Sequence, residues 1–136
     1  MARLRHFALN VRDPYKSAEF YKKVFGFEIV GEEVLDLGTG VFLSDGVVNL
    51  ALLKLNGKTE EEWEKMIGSN HFGIQVDDIA EAEKAIEEAG GAFFFEFPGS
   101  GPGNAERKYK DPDGVVFDVS RYGWLGTDSR FEPEDE

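Results

Sequence analysis

RHFALNVRD (Arg5–Asp13) and NHFGIQVDD (Asn70–Asp78) are two versions of one phrase, and they hold the chain's only two histidines, His6 and His71. Each reads His-Phe, a small residue, an aliphatic, an amide, Val, one variable position, then Asp. The two copies lie 65 residues apart, and the register persists beyond them: Asp13 matches Asp78, and Gly26 matches Gly91. A repeat of this length marks a duplicated supersecondary unit.

Each unit reads as β-α-β-β-β. In the first, Leu4 to Val11 alternates as a strand does. Asp13-Pro14 suits a helix start, since Asp caps free amides and Pro fits the first turn. Ala18, Tyr21, Val24 and Phe25 then share one helical face, and Gly26 stops the helix. Phe27–Val30, Gly40–Leu43 and Val47–Leu53 are the remaining strands. In the second unit Phe72–Val76 is a strand, and Asp77 or Asp78 caps a helix carrying Ala82, Ala85, Ile86 and Ala89 on one side. Gly90-Gly91 ends it, and Ala92–Phe97, Glu106–Tyr109 and Val115–Ser120 follow as strands. The expected class is α+β, one domain over 1–136. It divides into module one (4–55), a linker (56–69), module two (70–122) and an extension (123–136) lying on the surface or on a partner subunit. Thr59 with Glu62 three residues on is a capping box, so the linker holds a short helix.

The charge balance is 15 basic against 27 acidic side chains, a net −12. Such a surface repels phosphate backbones and argues against nucleic acid as a partner. No apolar run approaches the length of a membrane span. The start, MARLRHFALNV, lacks the apolar core of a signal peptide, and there is no cysteine, so the expected location is cytoplasmic. PGSGPGN has glycines but no strand–turn–helix context, which removes a nucleotide-binding reading. The run AFFFEF reads as core and interface.

Strand parity places the chemistry. Phe7, Leu9 and Val11 share one face of the first strand, and His6, Ala8 and Asn10 share the other. Likewise Phe72, Ile74 and Val76 oppose His71, Gly73 and Gln75. The apolar set belongs under the helix, so the histidines face away from it beside small and amide residues, as in a cavity wall. After the tight turn Asp111-Pro112-Asp113-Gly114, Asp118 is a carboxylate inside the apolar strand VVFDVS. A lone carboxylate there is costly unless paired or bound to a cation. Asn49 sits at the comparable place in unit one. If the modules pack about a pseudo-twofold, His6, His71 and Asp118 converge as a three-point face for a divalent ion. The plainer alternative is two satisfied structural histidines and an aspartate bonded to backbone or Tyr.

HFALNVRDPYKSAEFYKKVFGF, HFGIQVDDI and DPDGVVFDV together resemble the vicinal oxygen chelate superfamily, over roughly Leu4 to Tyr122. That group includes glyoxalase I, methylmalonyl-CoA epimerase, extradiol dioxygenases, and fosfomycin- and bleomycin-resistance proteins. The resemblance implies paired βαβββ modules forming a curled, cupped mixed sheet around a metal site, in a homodimer. It implies His6, His71 and Asp118 as ligands of one divalent ion (Zn, Mn, Fe, Co or Ni), with Asp118 in place of the usual Glu. An Asp carboxylate reaches about 1.5 Å less far than Glu. It also implies a fourth ligand position, usually Glu, which falls on Asn49; Asn49 brings no charge and cannot serve as a base.

The implied function is a metal-dependent lyase or isomerase of glyoxalase type acting on a small substrate with vicinal oxygens. Asp118 would also take the proton, and Asn10, Asn49 and Gln75 would line the pocket. Phe97 to Lys110 would form a lid, whose basic cluster, Arg107, Lys108 and Lys110, would steer an anion. The alternatives are an Fe(II) extradiol-type dioxygenase on the same triad, and a metal-free binding protein of the bleomycin-resistance kind.

Overall fold

The computed structural model describes residues 2–96 and 107–130. Within them the chain runs β1 (Arg3–Asn10), α1 (Pro14–Phe25), β2 (Glu28–Val34), β3 (Gly38–Ser44), β4 (Asn49–Leu55) and α2 (Glu60–Glu64). It continues through β5 (Gly68–Gln75), α3 (Ile79–Glu88), β6 (Ala92–Glu96), β7 (Arg107–Lys110) and β8 (Val116–Ser120). Two βαβββ modules therefore follow one another, as the repeat implies.

The helices start and stop for the reasons visible in the sequence. The Asp13 carboxylate accepts from the amides of Tyr15 and Lys16, with Pro14 in the first turn. Gly26 closes α1 at φ 75°, a left-handed conformation that a side chain would strain, and its N–H returns to Lys22 O. Asp78, rather than Asp77, caps α3 by accepting from Glu81 N. Thr59 and Glu62 form both arms of the capping box on α2. The linker helix is shorter than the interval assigned to it, and β5 begins at Gly68, inside that interval. Trp63 fastens the linker: it is buried, and its indole N–H donates to Val11 O at 2.8 Å.

All eight strands form one open, mixed sheet in the order β2-β3-β4-β1-β5-β8-β7-β6. The modules join where β1 runs antiparallel to β5. There Phe7 pairs with Phe72, His6 with Gly73 and Ala8 with His71. Phe7 and Phe72 are each other's counterparts in the 65-residue repeat, and the other two pairs interchange under it. That is what a twofold axis through Phe7 and Phe72 requires. β1 pairs in parallel with β4, and β5 with β8.

One small core sits under each long helix. Ala18, Val41, Leu43 and Leu52 pack with Leu9, Val11 and Tyr21 in module one. Tyr109, Phe117 and Val119 pack with Phe72, Ile74, Val76 and Ile86 in module two. The other face of the sheet buries polar side chains instead, among them His6, Asn10, Asn49, Gln75, Lys108 and Asp118. Parity thus separates the residues as the alternation implies. Phe93, Phe94 and Phe95 of the edge strand β6 are exposed rather than core.

The segment after β8 departs from the expected surface extension. A left-handed turn at Gly123 brings it back over the polar face of its own chain. Trp124, only 8% exposed, stacks on His6 with ring centroids 4.9 Å apart and planes 2° from parallel. Asn49 Nδ2 donates to Leu125 O, Ser44 Oγ donates to Gly126 O, and Arg5 pairs with Asp128. Gly73 makes this possible: a Cβ there would lie 2.6 Å from Trp124 Cζ2 and 2.9 Å from His6 Cβ. The space that Gly73 leaves is filled by Trp124, not by open cavity. Residues 131–136, the rest of that extension, lie outside the described residues.

Candidate metal centre

His6 comes from β1, His71 from β5 and Asp118 from β8, three adjacent strands at the module junction. His6 Nε2 and His71 Nε2 are 3.2 Å apart. Asp118 Oδ2 lies 3.0 Å from His71 Nε2 and 3.7 Å from His6 Nε2. An ion about 2.1 Å from nitrogen and oxygen ligands at ordinary angles separates neighbouring ligands by about 3.0–3.4 Å. The centre of the observed triangle lies about 1.9 Å from each corner, so such an ion fits just above its plane. Three ligands on one face leave the opposite positions for water or substrate. His6 is 2% and Asp118 0% exposed; only the rim of the site reaches solvent, through His71 and Lys108.

Two asparagine relays set the direction of the imidazoles. Asn49 Nδ2 donates to the Leu125 carbonyl at 2.8 Å, which aims Asn49 Oδ1 at His6 Nδ1, 2.7 Å away. A carbonyl oxygen only accepts, so His6 Nδ1 must carry the proton. On the other side Asn10 Nδ2 donates to Met66 O, Asn70 Nδ2 donates to Asn10 Oδ1, and Asn70 Oδ1 accepts from His71 Nδ1 at 2.8 Å. Each step is oriented by the one before it and ends on a backbone carbonyl. Both rings are thereby held as Nδ1–H tautomers, and their Nε2 lone pairs face each other. Neutral rings so arranged repel at 3.2 Å unless a cation or a proton lies between them. This is how ligand histidines are held, with the distal N–H anchored on an acceptor.

The electrostatics agree. Burial, helped by His71 and opposed by Asp118, pushes His6 down to about 4, so the ring is neutral at neutral pH and its Nε2 is available. Burial pushes the Asp118 carboxyl up, but contact with His71 and the Lys108 ammonium outweighs it and holds the group below the ordinary carboxylate range. Asp118 Oδ1 accepts from Lys108 Nζ at 2.7 Å. No well-directed hydrogen bond reaches Asp118 Oδ2 among the described residues, although the oxygen is fully buried. Without an ion, a proton on His71 serves Asp118 Oδ2 at 3.0 Å; with both rings neutral, that oxygen and the two Nε2 lone pairs form a donor set for a cation.

The other candidate residues separate into distinct places. Asn49 and Asn10 support the histidines rather than forming an open pocket wall. Gln75 Nε2 holds the Arg121 carbonyl at 2.9 Å. Lys108 joins the cluster, but Arg107 is its neighbour on a strand and points the other way, to Glu83 on α3 and across the Phe93 ring. Lys110 lies over Phe94. The basic cluster is therefore not a unit, and 97–106 of the expected lid lie outside the described residues. Asn70 and Trp124 were not legible as site residues; the only hint was that Asn70 directly precedes His71.

Register also corrects one correspondence. Gly73 pairs with Asp118, and its repeat counterpart Ala8 pairs with Ala51. The module-one equivalent of Asp118 is Ala51, not Asn49, which pairs with His6. A methyl group stands where a second carboxylate would be.

The model of the Glyoxalase/Bleomycin resistance protein/Dioxygenase superfamily matches residues 3–119. The chain belongs to that superfamily. No curated protein matches it in sequence. Solved structures of this superfamily fold superpose over most of its length. The hypothetical protein BH1468 from Bacillus halodurans C-125 matches with TM-score 0.70 and 19% identity, covering 99% of this chain and 98% of that one. Methylmalonyl-CoA epimerase from Mycobacterium tuberculosis matches with TM-score 0.70 and 19% identity, covering 87% and 86%. A Streptomyces coelicolor methylmalonyl-CoA epimerase variant, in complex with 2-nitronate-propionyl-CoA, gives 0.69 and 20%, covering 86% and 94%. At these identities the likeness establishes the superfamily fold.

The asparagine relays give a direct test. Asn49→Leu removes the acceptor at His6 Nδ1 and frees the tautomer, and metal affinity is expected to fall about 10- to 100-fold. Asn49→Asp keeps an acceptor there and is expected to stay within a few-fold of the parent. Competition against a chromogenic chelator measures both.

Proposed function

We propose that this superfamily member is a divalent-metal-dependent isomerase or lyase acting on a small substrate with vicinal oxygens. The observation that carries this reading is the convergence of two tautomer-locked imidazoles and a buried carboxylate on one point. His6, His71 and Asp118 would hold the ion, and Zn, Mn, Fe, Co and Ni all suit such ligands. When bound, the ion supplies Lewis acidity that stabilises negative charge developing on substrate oxygens.

The chain's own residues do the rest. Asn49 and Asn70 keep both Nε2 atoms aimed inward. Trp124 covers the His6 side and excludes water there, so substrate approaches past His71 and Lys108. Asp118 is the one carboxylate at the centre among the described residues. A proton removed from carbon beside a polarised carbonyl therefore goes to Asp118, and the Lys108 ammonium on Asp118 Oδ1 is the neighbouring donor for its return. With Ala51 opposite, a mechanism using two carboxylates has no second base in this arrangement.

We read the enzyme further as a cytoplasmic homodimer without nucleic-acid or membrane partners. Support comes from the cysteine-free acidic sequence and the exposed Phe93, Phe94 and Phe95 on an edge strand. No helix among the described residues is long and apolar enough to cross a membrane.

The test is solvent exchange. Metal-loaded enzyme in D2O, screened by NMR against 2-hydroxy and 2-keto acids and thioesters, is expected to exchange the carbon-bound proton next to a carbonyl in at least one class. No exchange, with oxygen consumed on catechols by the Fe(II) form, would favour the dioxygenase reading, for which the two-histidine, one-carboxylate face is itself an argument. Ligand binding without any retained metal would favour the binding-protein reading, in which the Lys108–Asp118 ion pair replaces the ion.

A further inference from the structure

Lys108 is the residue at this centre whose part in choosing the substrate the metal reading leaves unassigned. It lies directly across from Asp118 in the β7–β8 register, and its side chain crosses to the polar face while Arg107 and Tyr109 turn to α3. Its Nζ donates to Asp118 Oδ1 at 2.7 Å and lies 3.4 Å from His71 Nε2. Its side chain is 10% exposed, so the ammonium sits at the lip of the cluster rather than in bulk water.

Charge then restricts what the site accepts. Ligand imidazoles are neutral. Asp118 and Lys108 cancel. A divalent ion at the triangle leaves a net charge of about +2 beside buried His6 and Asp118, with Trp124 stacked on His6. Nothing among the described residues of the cluster offsets it, since Ala51 stands where a second carboxylate would and Asn49, beside His6, is uncharged. The compensation must come from the ligand. Resting on the metal reading above, we infer that Lys108 is a specificity-determining residue that selects anionic vicinal-oxygen ligands. One oxygen of a 2-keto or 2-hydroxy carboxylate faces the ion, and the carboxylate oxygen accepts from Lys108 Nζ. Neutral dioxygen compounds of the same shape are rejected because they leave the charge of the ion uncompensated and give Lys108 Nζ only a neutral acceptor.

The series oxalate, oxamate and oxamide tests this, because charge falls stepwise at nearly constant shape. Co(II)-loaded protein is titrated with each and followed by visible absorption and calorimetry. Wild type is expected to bind oxalate far more tightly than oxamide. Lys108→Met is expected to lose about 10- to 100-fold for oxalate, the worth of one charged hydrogen bond, and little for oxamide. The same variant is expected to hold Co(II) itself at least as tightly as wild type, since a like charge beside the ion is gone. A merely structural lysine would weaken both together. Should Lys108→Met not fold, the crystal structure of wild type with Co(II) and oxalate decides: an oxalate oxygen within about 3 Å of Nζ is expected. Metal bound with oxalate affinity independent of Lys108, or oxalate turned away from Nζ, overturns this inference and leaves the metal reading standing. No metal bound to wild type overturns both.

Discussion

The double variant Asp118→Asn, Lys108→Met is expected to lose well over about 100-fold in affinity for a divalent ion relative to Lys108→Met alone. Asp118 is the only anionic corner of the triangle, and its Oδ2 is the oxygen that faces both imidazoles. Residues that merely support a ligand cost about 10- to 100-fold, so a direct ligand must exceed that range. Lys108 is changed at the same time for a physical reason. Removing Asp118 alone strands a buried ammonium, and that penalty would blur loss of metal with loss of fold. Chelator competition measures the affinities. Trp124 offers a second readout, because its ring is stacked on His6 and its emission should change when His6 takes an ion. The other tryptophan, Trp63, lies against Val11 at the linker and can be replaced by Phe to isolate the signal. Equal affinities in the two variants would remove Asp118 from the ligand set.

Acid should destabilise the metal-free protein by about 3 kcal/mol between pH ~6.5 and ~4 through His6 alone. The direction follows from where the proton binds. In the folded chain burial and His71 hold His6 down at about 4, against an ordinary value of 6.5. As pH falls through that window the unfolded chain takes up a proton that the folded chain refuses, so stability drops. Asp118 adds to the loss at lower pH. Its folded carboxyl is held below the ordinary range, and the stability this gives above that range fades as the pH falls through it. Urea unfolding at stepped pH reads the effect, and His6→Gln is expected to flatten the slope across the upper window. Identical slopes would mean that His6 is not buried neutral. Saturating metal should deepen the loss, since protons and the ion compete for the same nitrogen atoms.

Much of this arrangement was legible because it depends on period and parity. The repeat implies two modules meeting about a pseudo-twofold, and alternation alone turns His6 and His71 from the helices, while the register that sets Phe7 on Phe72 is seen only in the structure. Caps at Asp13, Thr59 and Asp78 are local chemistry, so they were readable without a fold. Most errors arise where period-2 reasoning is blind. Asn49 and Ala51 are two residues apart and share a face, so only strand register could show which one matches Asp118. One error lies within reach of parity: Arg107 and Lys108 are grouped as one basic cluster of a lid, although Glu106–Tyr109 reads as a strand and a strand sends them to opposite faces. The tautomer lock on His71 passes through Asn70 and Asn10 to Met66, and no spacing reveals a relay across two strands and a linker. Trp124 reaches His6 only because the chain doubles back after β8 and Gly73 has no side chain to oppose it.

X-ray absorption on protein loaded with zinc or cobalt, and prepared without a histidine tag, tests the three-ligand centre most directly. One ion per chain is expected, with two imidazoles and a carboxylate oxygen among its ligands at about 2.0–2.2 Å. A substoichiometric ion, or a spectrum showing fewer than two imidazoles, would contradict the metal centre and leave Lys108 and Asp118 as a self-contained ion pair.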